Sequence, residues 1–125
     1  MRTITVEQFL TELAAQNVPD EHLAFRCPMC GTVQSAADFI KANAGKDLDE
    51  VDKWLGFSCI GRFTDAGPHK KGTPPGKGCD WTLGGLFKIH ELQVEHEGEL
   101  HPRFEICTPE EAQEHMKQNT ADQAA

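Results

Sequence analysis

Four of the five cysteines have the surroundings expected of metal-bound thiolates. The run "FRCPMCG" separates Cys27 and Cys30 by two residues, with Pro28 behind the first and Gly31 behind the second. This spacing is typical of half a tetrahedral zinc site, because a tight turn can aim both sulfurs at one ion. Proline stiffens such a turn, and glycine permits the positive φ that directs backbone N–H groups at the sulfurs. A closed structural site needs two more ligands.

Cys59 and Cys79 are the predicted second half of this site. Each lies beside small residues, in "SCIG" and "GKGCD", where the backbone can bend around a metal. Basic residues lie close in sequence to the cysteines, and positive charge would help to keep thiolates deprotonated; they are Arg26, Arg62 and Lys77. The sequence therefore predicts a structural Zn²⁺ bound by Cys27, Cys30, Cys59 and Cys79, with His69 as the best substitute for an excluded cysteine.

Other uses of these cysteines fit the sequence less well. A thioredoxin-like redox pair needs its first cysteine at a helix N-terminus, whereas "GTVQ" follows this pair and does not favour a helix. Five cysteines would leave one unpaired in a disulfide framework. Cys107, at the end of "RFEIC", is interpreted as a small buried apolar residue on a strand.

No catalytic motif is found, so we predict that the protein is not an enzyme. In "HEGELH" the histidines are five residues apart rather than four, and Gly98 interrupts any helix, so the metalloprotease pattern fails. His96 and His101 are expected to flank a hairpin turn and face solvent. No histidine-x-glutamate triplet precedes the cysteine pair, which excludes the zinc-deaminase pattern. His90, in "FKIHEL", is interpreted as a hydrogen-bonded strand residue.

The negative charge is concentrated in the C-terminal third of the chain. The formal net charge is −8, and residues 89–125 contain nine acidic side chains but only two basic ones, Arg103 and Lys117. Such a segment is poorly suited to contact phosphates. The N-terminus lacks the uninterrupted apolar stretch of a secretory signal, and no run is long enough to span a bilayer. We expect a cytoplasmic protein that does not contact membranes, with its thiols reduced.

The predicted fold is a single α+β domain over residues 1–125. Helices should begin after Thr5, Ser35 and Thr108, each followed three residues later by a side chain that can complete a capping box, and a short helix should cover "DLDEVDKWL". Phe9, Leu10 and Leu13 form the apolar stripe of the first helix.

The strands are expected in one small antiparallel sheet that carries the zinc knuckle or ribbon-like element, with helices flanking it. "FSCIGRF" is a strand candidate, and "LFKIHELQVEH" and "ELHPRFEIC" should form a hairpin around Glu97-Gly98. Residues 64–78 are rich in glycine, proline and lysine and should form an exposed loop. Residues 119–125 are expected to be a frayed tail. Trp81 should cover the metal site, with Gly84-Gly85 turning into the hairpin.

The runs "GFSCIGRF" and "GCDWTLGGLFKIHELQV" resemble a family of small phage and prophage proteins of unassigned function. The resemblance extends from Phe25 to Ala112. It implies expression in a bacterial cytoplasm during phage growth or lysogeny, and it supplies no catalytic residues.

Two functions follow from these patterns as hypotheses. The first is a zinc-stabilised binding module that contacts a host or phage protein, with its acidic surface inhibiting host nucleic-acid or defence machinery. The alternative is a zinc-ribbon-like nucleic-acid-binding protein that uses the loop 69–77, with Trp81 beside it. The candidate binding residues are His69, Lys70, Lys71, Lys77 and Trp81.

Overall fold

Two small sheets and four α-helices account for most of the described residues. The computed structural model describes residues 2–72, 76, 78–83 and 92–124, with side chains as far as residue 120. The strands are β1 Arg2–Thr5, β2 Ala24–Arg26, β3 Val33–Ser35, β4 Leu92–His96, β5 Glu99–Arg103 and β6 Glu105–Ile106. The helices are α1 Val6–Ala15, α2 Ala36–Lys41, α3 Leu48–Val51 and α4 Pro109–Ala124, with 3-10 turns at Asp20–His22 and Ile60–Phe63.

The α+β class is confirmed, but the strands form two sheets where one was expected. The first sheet has the order β1-β4-β5, with β1 parallel to β4 and β4 antiparallel to β5. The second is antiparallel throughout, in the order β3-β2-β6. The turn at Glu97 and Gly98 joins β4 to β5, and both residues have positive φ, as a two-residue hairpin turn requires.

Helices α1 and α4 begin at the predicted residues, and each has a capping box at its N-terminus. The Thr5 hydroxyl accepts from the backbone N–H of Gln8, and the Gln8 side chain accepts from that of Thr5. Thr108 and Glu111 make the same reciprocal pair at the start of α4. The expected apolar stripe of α1 is only partly correct, because Leu13 is buried whereas Leu10 is 58% exposed.

The prediction of a strand over "FSCIGRF" was wrong beyond its first residues. Ser58 forms a single antiparallel bridge with Thr82, and the chain then turns into the 3-10 helix at Ile60–Phe63. The backbone N–H of Cys59 donates to the carbonyl of Trp81 at this bridge. The turn brings Gly61 into contact with Gly78 and Cys79, so this segment packs against residues 78 and 79 and does not extend a sheet.

Helix α4 is held against α2 by a polar cluster. A ring nitrogen of His115 lies 2.6 Å from Asp38 Oδ2, and the Asn119 amide donates to Asp38 Oδ1 over 3.1 Å. Burial alone would raise the pKa of Asp38, but these contacts and the backbone N–H of Ser35 outweigh it, and the net pKa is lowered. The helix continues to Ala124, through most of the segment where fraying was expected.

The described residues between 64 and 78 contain no helix or strand, and they are exposed or half-buried. Within the ranges that the structure describes, no helix has the length and apolar character needed to cross a membrane.

Candidate metal centre

Cys27, Cys30, Cys59 and Cys79, hereafter the thiol quartet, meet at one point in the interior. Their four sulfurs all lie within 4.8 Å of one another. All four side chains are buried, and Cys59 and Cys79 are completely inaccessible to solvent. None of the four is in a disulfide. The residues predicted from spacing and neighbours are therefore brought together, and they could bind a metal ion.

The distances within the quartet suit a tetrahedral site. The sulfurs of Cys27 and Cys79 are 3.8 Å apart, as are those of Cys30 and Cys59. A tetrahedron with metal–sulfur bonds of about 2.3 Å, as found for zinc, has edges of about 3.8 Å. A disulfide would require about 2.05 Å between sulfurs. The two measured edges thus match the spacing around a zinc ion rather than that of bonded cysteines.

The first pair sits on a tight turn between β2 and β3. The backbone N–H of Gly31 donates to the Cys27 carbonyl, and the N–H of Cys27 donates to the carbonyl of Thr32. Gly31 has a φ of 76°, the left-handed conformation that the sequence predicted for it. The turn leads into β3, with no helix beginning at Cys27, so the geometry of a thioredoxin-like redox pair is missing here.

The second pair depends on close backbone contact between two glycines. A Cβ placed on Gly61 would lie 2.3 Å from the backbone nitrogen of Cys79, and one on Gly78 would lie 2.6 Å from the nitrogen of Gly61. Only hydrogen at both Cα positions allows this approach. Gly61 and Gly78 therefore allow the segments that contain Cys59 and Cys79 to pack together.

Two polar residues that the sequence analysis did not identify support the sulfurs. The hydroxyl oxygen of Thr32 lies 3.1 Å from Cys30 Sγ and accepts from the N–H groups of Gly76 and Gly78. The Gln34 amide donates to Cys59 Sγ over 3.5 Å, while its oxygen accepts from the N–H of Ile60. Gln34 lies in the three-residue strand β3 and Thr32 immediately precedes it, so the sequence offers too short a pattern to show that the two side chains share a face.

Backbone N–H groups also point at the sulfurs. The N–H of Cys79 donates to Cys59 Sγ over 3.2 Å. The backbone groups of Cys30, Thr32 and Trp81 also act to lower the pKa values of Cys27, Cys30 and Cys79, respectively. Such donors orient metal-bound thiolates and stabilise their charge.

The expected role of nearby cations is not seen in the described contacts. Arg26 forms an ion pair with Glu111, with 2.8 Å between nitrogen and oxygen. Arg62 donates to the backbone carbonyl of Asp80. Lys77 lies outside the described residues. Among the described residues, a backbone N–H, the Thr32 hydroxyl and the Gln34 amide contact the sulfurs, whereas Arg26 and Arg62 have other partners.

Without a cation, Cys27 and Cys79 favour their protonated forms, whereas Cys30 favours the thiolate. Hydrogen bonding to Cys30 and Cys59, together with burial, raises the pKa of Cys27, and the hydrogen bonds of Cys30 to Cys27 and Cys59 lower the pKa of Cys30. Burial raises the pKa of Cys79 to about 12, and the charges of Cys59 and Cys30 act in the same direction. A divalent cation would remove this conflict, since it favours all four thiolates.

None of the other described candidate residues belongs to the thiol quartet. His69 is half-buried and is not part of this group, while Lys70 and Lys71 are exposed. Trp81 is half-buried and packs on the same core as the cysteines. Cys107 is buried as predicted, next to Ala24 and Ala112 and outside the quartet.

The histidine predictions have mixed outcomes. The side chains of His96 and His101 flank the hairpin turn and are 56% and 43% exposed. Both histidines therefore face solvent, as predicted from the sequence. His90 and the pair Gly84-Gly85 lie outside the described residues, so their predicted roles stay predictions.

Comparison with known proteins matches residues 5–107 to the VVA0879-like family. No curated protein and no solved structure matches the chain significantly. The matched segment contains all four cysteines of the thiol quartet. Because the match spans well over half of the sequence, the chain belongs to the VVA0879-like family.

Proposed function

We propose that this protein is a non-enzymatic, zinc-stabilised binding module that acts through protein–protein contacts. The observation that supports zinc is the thiol quartet, whose two measured edges of 3.8 Å equal those of a zinc–thiolate tetrahedron. Four protein ligands leave no open position for a substrate, which favours a structural over a catalytic ion. Buried sulfurs with N–H donors around them agree with this role.

Metal analysis tests the first part of the proposal. Protein purified without added metal should contain one zinc per chain, and X-ray absorption should give four sulfur neighbours at about 2.3 Å. Nitrogen or oxygen in the first coordination sphere, or zinc well below one per chain after reconstitution, would contradict the proposed site. The Cys107→Ala variant is the matched control, because it removes a buried cysteine outside the quartet and should keep the ion.

The acidic C-terminal third supports a protein partner. Glu95, Glu97 and Glu99 are exposed on the hairpin, and Glu110 and Glu114 are among the acidic residues of α4. Leu100, on the same hairpin, is 54% exposed, so an apolar contact is available among these charges. An acidic surface of this kind can occupy a site meant for nucleic acid. The proposed partner is therefore a nucleic-acid-binding or defence protein of a bacterial host, met in the cytoplasm by a protein of phage origin.

Competition between the protein and nucleic acid tests the partner. Affinity capture from bacteria should recover a nucleic-acid-binding protein, and the purified chain should displace DNA or RNA from it. A variant with Glu95→Lys and Glu97→Lys should lose this displacement, whereas Glu7→Lys with Glu21→Lys changes the net charge equally outside the acidic third and should retain it. Equal behaviour of the two variants, or no displacement by the wild type, would contradict the proposed inhibition.

A nucleic-acid-binding function through residues 69–77 is the second candidate. It is favoured by the exposure of Lys70 and Lys71 and by the half-buried His69 beside them. The footprint is small, and the acidic remainder of the chain would oppose it. An oligonucleotide titration at increasing salt distinguishes the candidates. A nucleic-acid-binding protein should lose affinity as salt rises, and no binding at low salt would exclude this function.

A further inference from the structure

Two adjoining cavities on the side of α1 share the residues Phe9 and Arg103. The larger, of about 500 Å³, has an apolar wall that includes Leu13, Leu23 and Phe25. The smaller, of about 360 Å³, is lined by Val6, Phe9, Leu10, Val94, His96, His101 and Arg103. We call the two together the Phe9–Arg103 groove. Its volume and its mostly apolar walls are those of small-molecule sites.

The position of Arg103 in β5 explains why a cation lies in this groove. Arg103 stands directly opposite Leu92, whose side chain is completely buried. Directly paired residues of neighbouring strands point to the same face of the sheet, so Arg103 emerges on the core face, beneath α1. The guanidinium is half-buried there, and burial lowers its pKa.

The guanidinium has donors available for a ligand. Asp52 lies near enough to favour its charge, yet among the described residues Arg103 forms neither a side-chain hydrogen bond nor a close ion pair. In contrast, Arg2 and Arg26 each have carboxylate partners within 3 Å. The planar fork of N–H groups on arginine matches a carboxylate better than any other side chain does.

The charges around the groove favour an anion at one end. The smaller cavity has histidine and arginine as its polar lining and no acidic side chain among the described residues that form it, and the nearby Glu97 and Glu99 lie 3.8 and 3.9 Å from its two histidines rather than beside Arg103. Asp20, Asp52 and Lys53 lie at the larger cavity, where Lys53 also stacks over the Trp54 ring at 5.0 Å. A ligand with one anionic end at Arg103 and an apolar remainder against Phe9 would complement both parts of this lining.

We propose that the Phe9–Arg103 groove binds small monocarboxylates with an apolar chain or ring, the carboxylate on the Arg103 guanidinium and the apolar part along Phe9, Leu13 and Leu23. The inference does not depend on the zinc or partner proposals, because the groove residues include neither a cysteine of the thiol quartet nor one of the exposed glutamates of the hairpin.

Octanoate and octanol are the probes that test the groove, since they differ in the carboxylate. In NMR titrations of the full chain, octanoate should perturb the amides of Phe9 and Arg103 and bind about tenfold more tightly than octanol. Arg103→Gln should reduce octanoate affinity to that of octanol, whereas Lys117→Gln removes one positive charge on α4 and should leave it unchanged. Equal affinities for the two probes in the wild type, or unaltered octanoate binding by Arg103→Gln, would overturn the proposal.

A second pair of variants avoids any change to Arg103. Leu10→Asp adds a carboxylate at the exposed rim of the smaller cavity, and Leu100→Asp adds one at a similarly exposed leucine on the hairpin. The first should weaken octanoate binding severalfold more than octanol binding, because like charges repel, and the second should alter neither. Equal effects of the two variants on octanoate would show that the carboxylate does not bind beside Arg103.

Discussion

Thr32 is the residue that links the two halves of the thiol quartet. Its oxygen accepts hydrogen bonds from the N–H groups of Gly76 and Gly78 in one segment and lies 3.1 Å from Cys30 Sγ in the other, so the hydroxyl can donate to Cys30 once this residue is a metal-bound thiolate. We expect Thr32→Val, which keeps the shape and removes the hydroxyl, to lower zinc affinity by about 10- to 100-fold. Competition with a zinc chelator of known affinity measures the change.

Thr64→Val is the control for this prediction. Thr64 is exposed, and its hydroxyl makes no hydrogen bond within the part of the chain that the structure describes. Its replacement should therefore leave zinc affinity within about twofold of the wild type, by the usual neutrality of surface changes. If Thr32→Val bound zinc as tightly as Thr64→Val, the hydroxyl would have no part in holding the site together.

Zinc binding should release protons, and its affinity should fall as the pH falls. Cys27 and Cys79 have raised pKa values in the metal-free site, and that of Cys79 is about 12 because of burial. Both thiols are therefore protonated at neutral pH, and each must lose its proton to bind zinc. We expect at least two protons released per ion, so that affinity falls about 100-fold for each pH unit below neutrality.

Calorimetry in buffers of different ionisation enthalpy counts these protons. Cys107→Ala should release the same number, although burial raises the pKa of Cys107 to about 12 as well, because this thiol is not a predicted ligand. Release of less than one proton per ion would mean that the thiols are not the ligands.

Individual site residues could be predicted from the sequence where the residue type itself indicates a metal ligand. Cysteine is rare, and the spacing of Cys27 and Cys30 is local, so both predicted ligands could be identified without a fold. Cys59 and Cys79 were chosen because small residues and a basic residue lie close to each in the sequence. Gln34 was missed, because a buried glutamine becomes recognisable only when its two partners, Cys59 and Ile60, are brought beside it by the fold.

At the scale of elements, the contact between Gly61 and Gly78 decides whether the second pair of ligands can form. A methyl group on Gly61 would meet the backbone of Cys79 at 2.3 Å from its nitrogen and 2.5 Å from its oxygen. Backbone cannot move aside as a side chain can, so we expect Gly61→Ala to destabilise the protein by about 3 kcal/mol and to weaken zinc binding. Urea unfolding and zinc content measure the two effects.

Gly67→Ala separates crowding from backbone strain. Gly67 has a φ of 73°, and a methyl group on its Cα would meet nothing within 4 Å among the described residues, so only the left-handed conformation opposes the change. Its cost should be about 1–2 kcal/mol, with full zinc content. A Gly61→Ala variant no less stable than Gly67→Ala would contradict the close approach of the two glycine segments.

Elements differ in how far the sequence indicates them. Capping pairs such as Thr5 with Gln8 lie within one turn, and they predicted helix starts correctly. Strand β1 was missed because its hydrogen-bonding partner is remote, with Arg2 opposite Leu92. Strands β2 and β3 are three residues each, too short for alternation to be evident. Their pairing is set by tertiary contacts rather than by propensity.

For the whole molecule, the thiol quartet brings together three segments that are far apart in the sequence, around Cys27 and Cys30, Cys59, and Cys79. Loss of one ligand should remove most of the metal-binding free energy, which is of order 10 kcal/mol for structural zinc. Because this is comparable to the entire stability of a typical domain, we expect Cys30→Ala to unfold the protein at room temperature. Circular dichroism with and without chelator measures the effect.

The fifth cysteine provides the comparison. Cys107→Ala also truncates a buried thiol, but it should remain folded, bind zinc and unfold with chelator as the wild type does. If Cys30→Ala were as stable as Cys107→Ala, the core alone would maintain the fold, and a structural role for the ion would be excluded.

The order in which strands pair has a consequence for synthesis on the ribosome. Strand β1 can pair only after β4 has been synthesised, and β2 gains its second neighbouring strand only with β6. Cys79 is the last of the four thiols to be synthesised. While the first sixty residues emerge, the nascent chain exposes three cysteines and unpaired strand edges, with no finished sheet to bury them. Neither sheet can therefore be completed before β4, β5 and β6 have been synthesised, and we expect shorter products to expose surfaces that chaperones and proteases recognise.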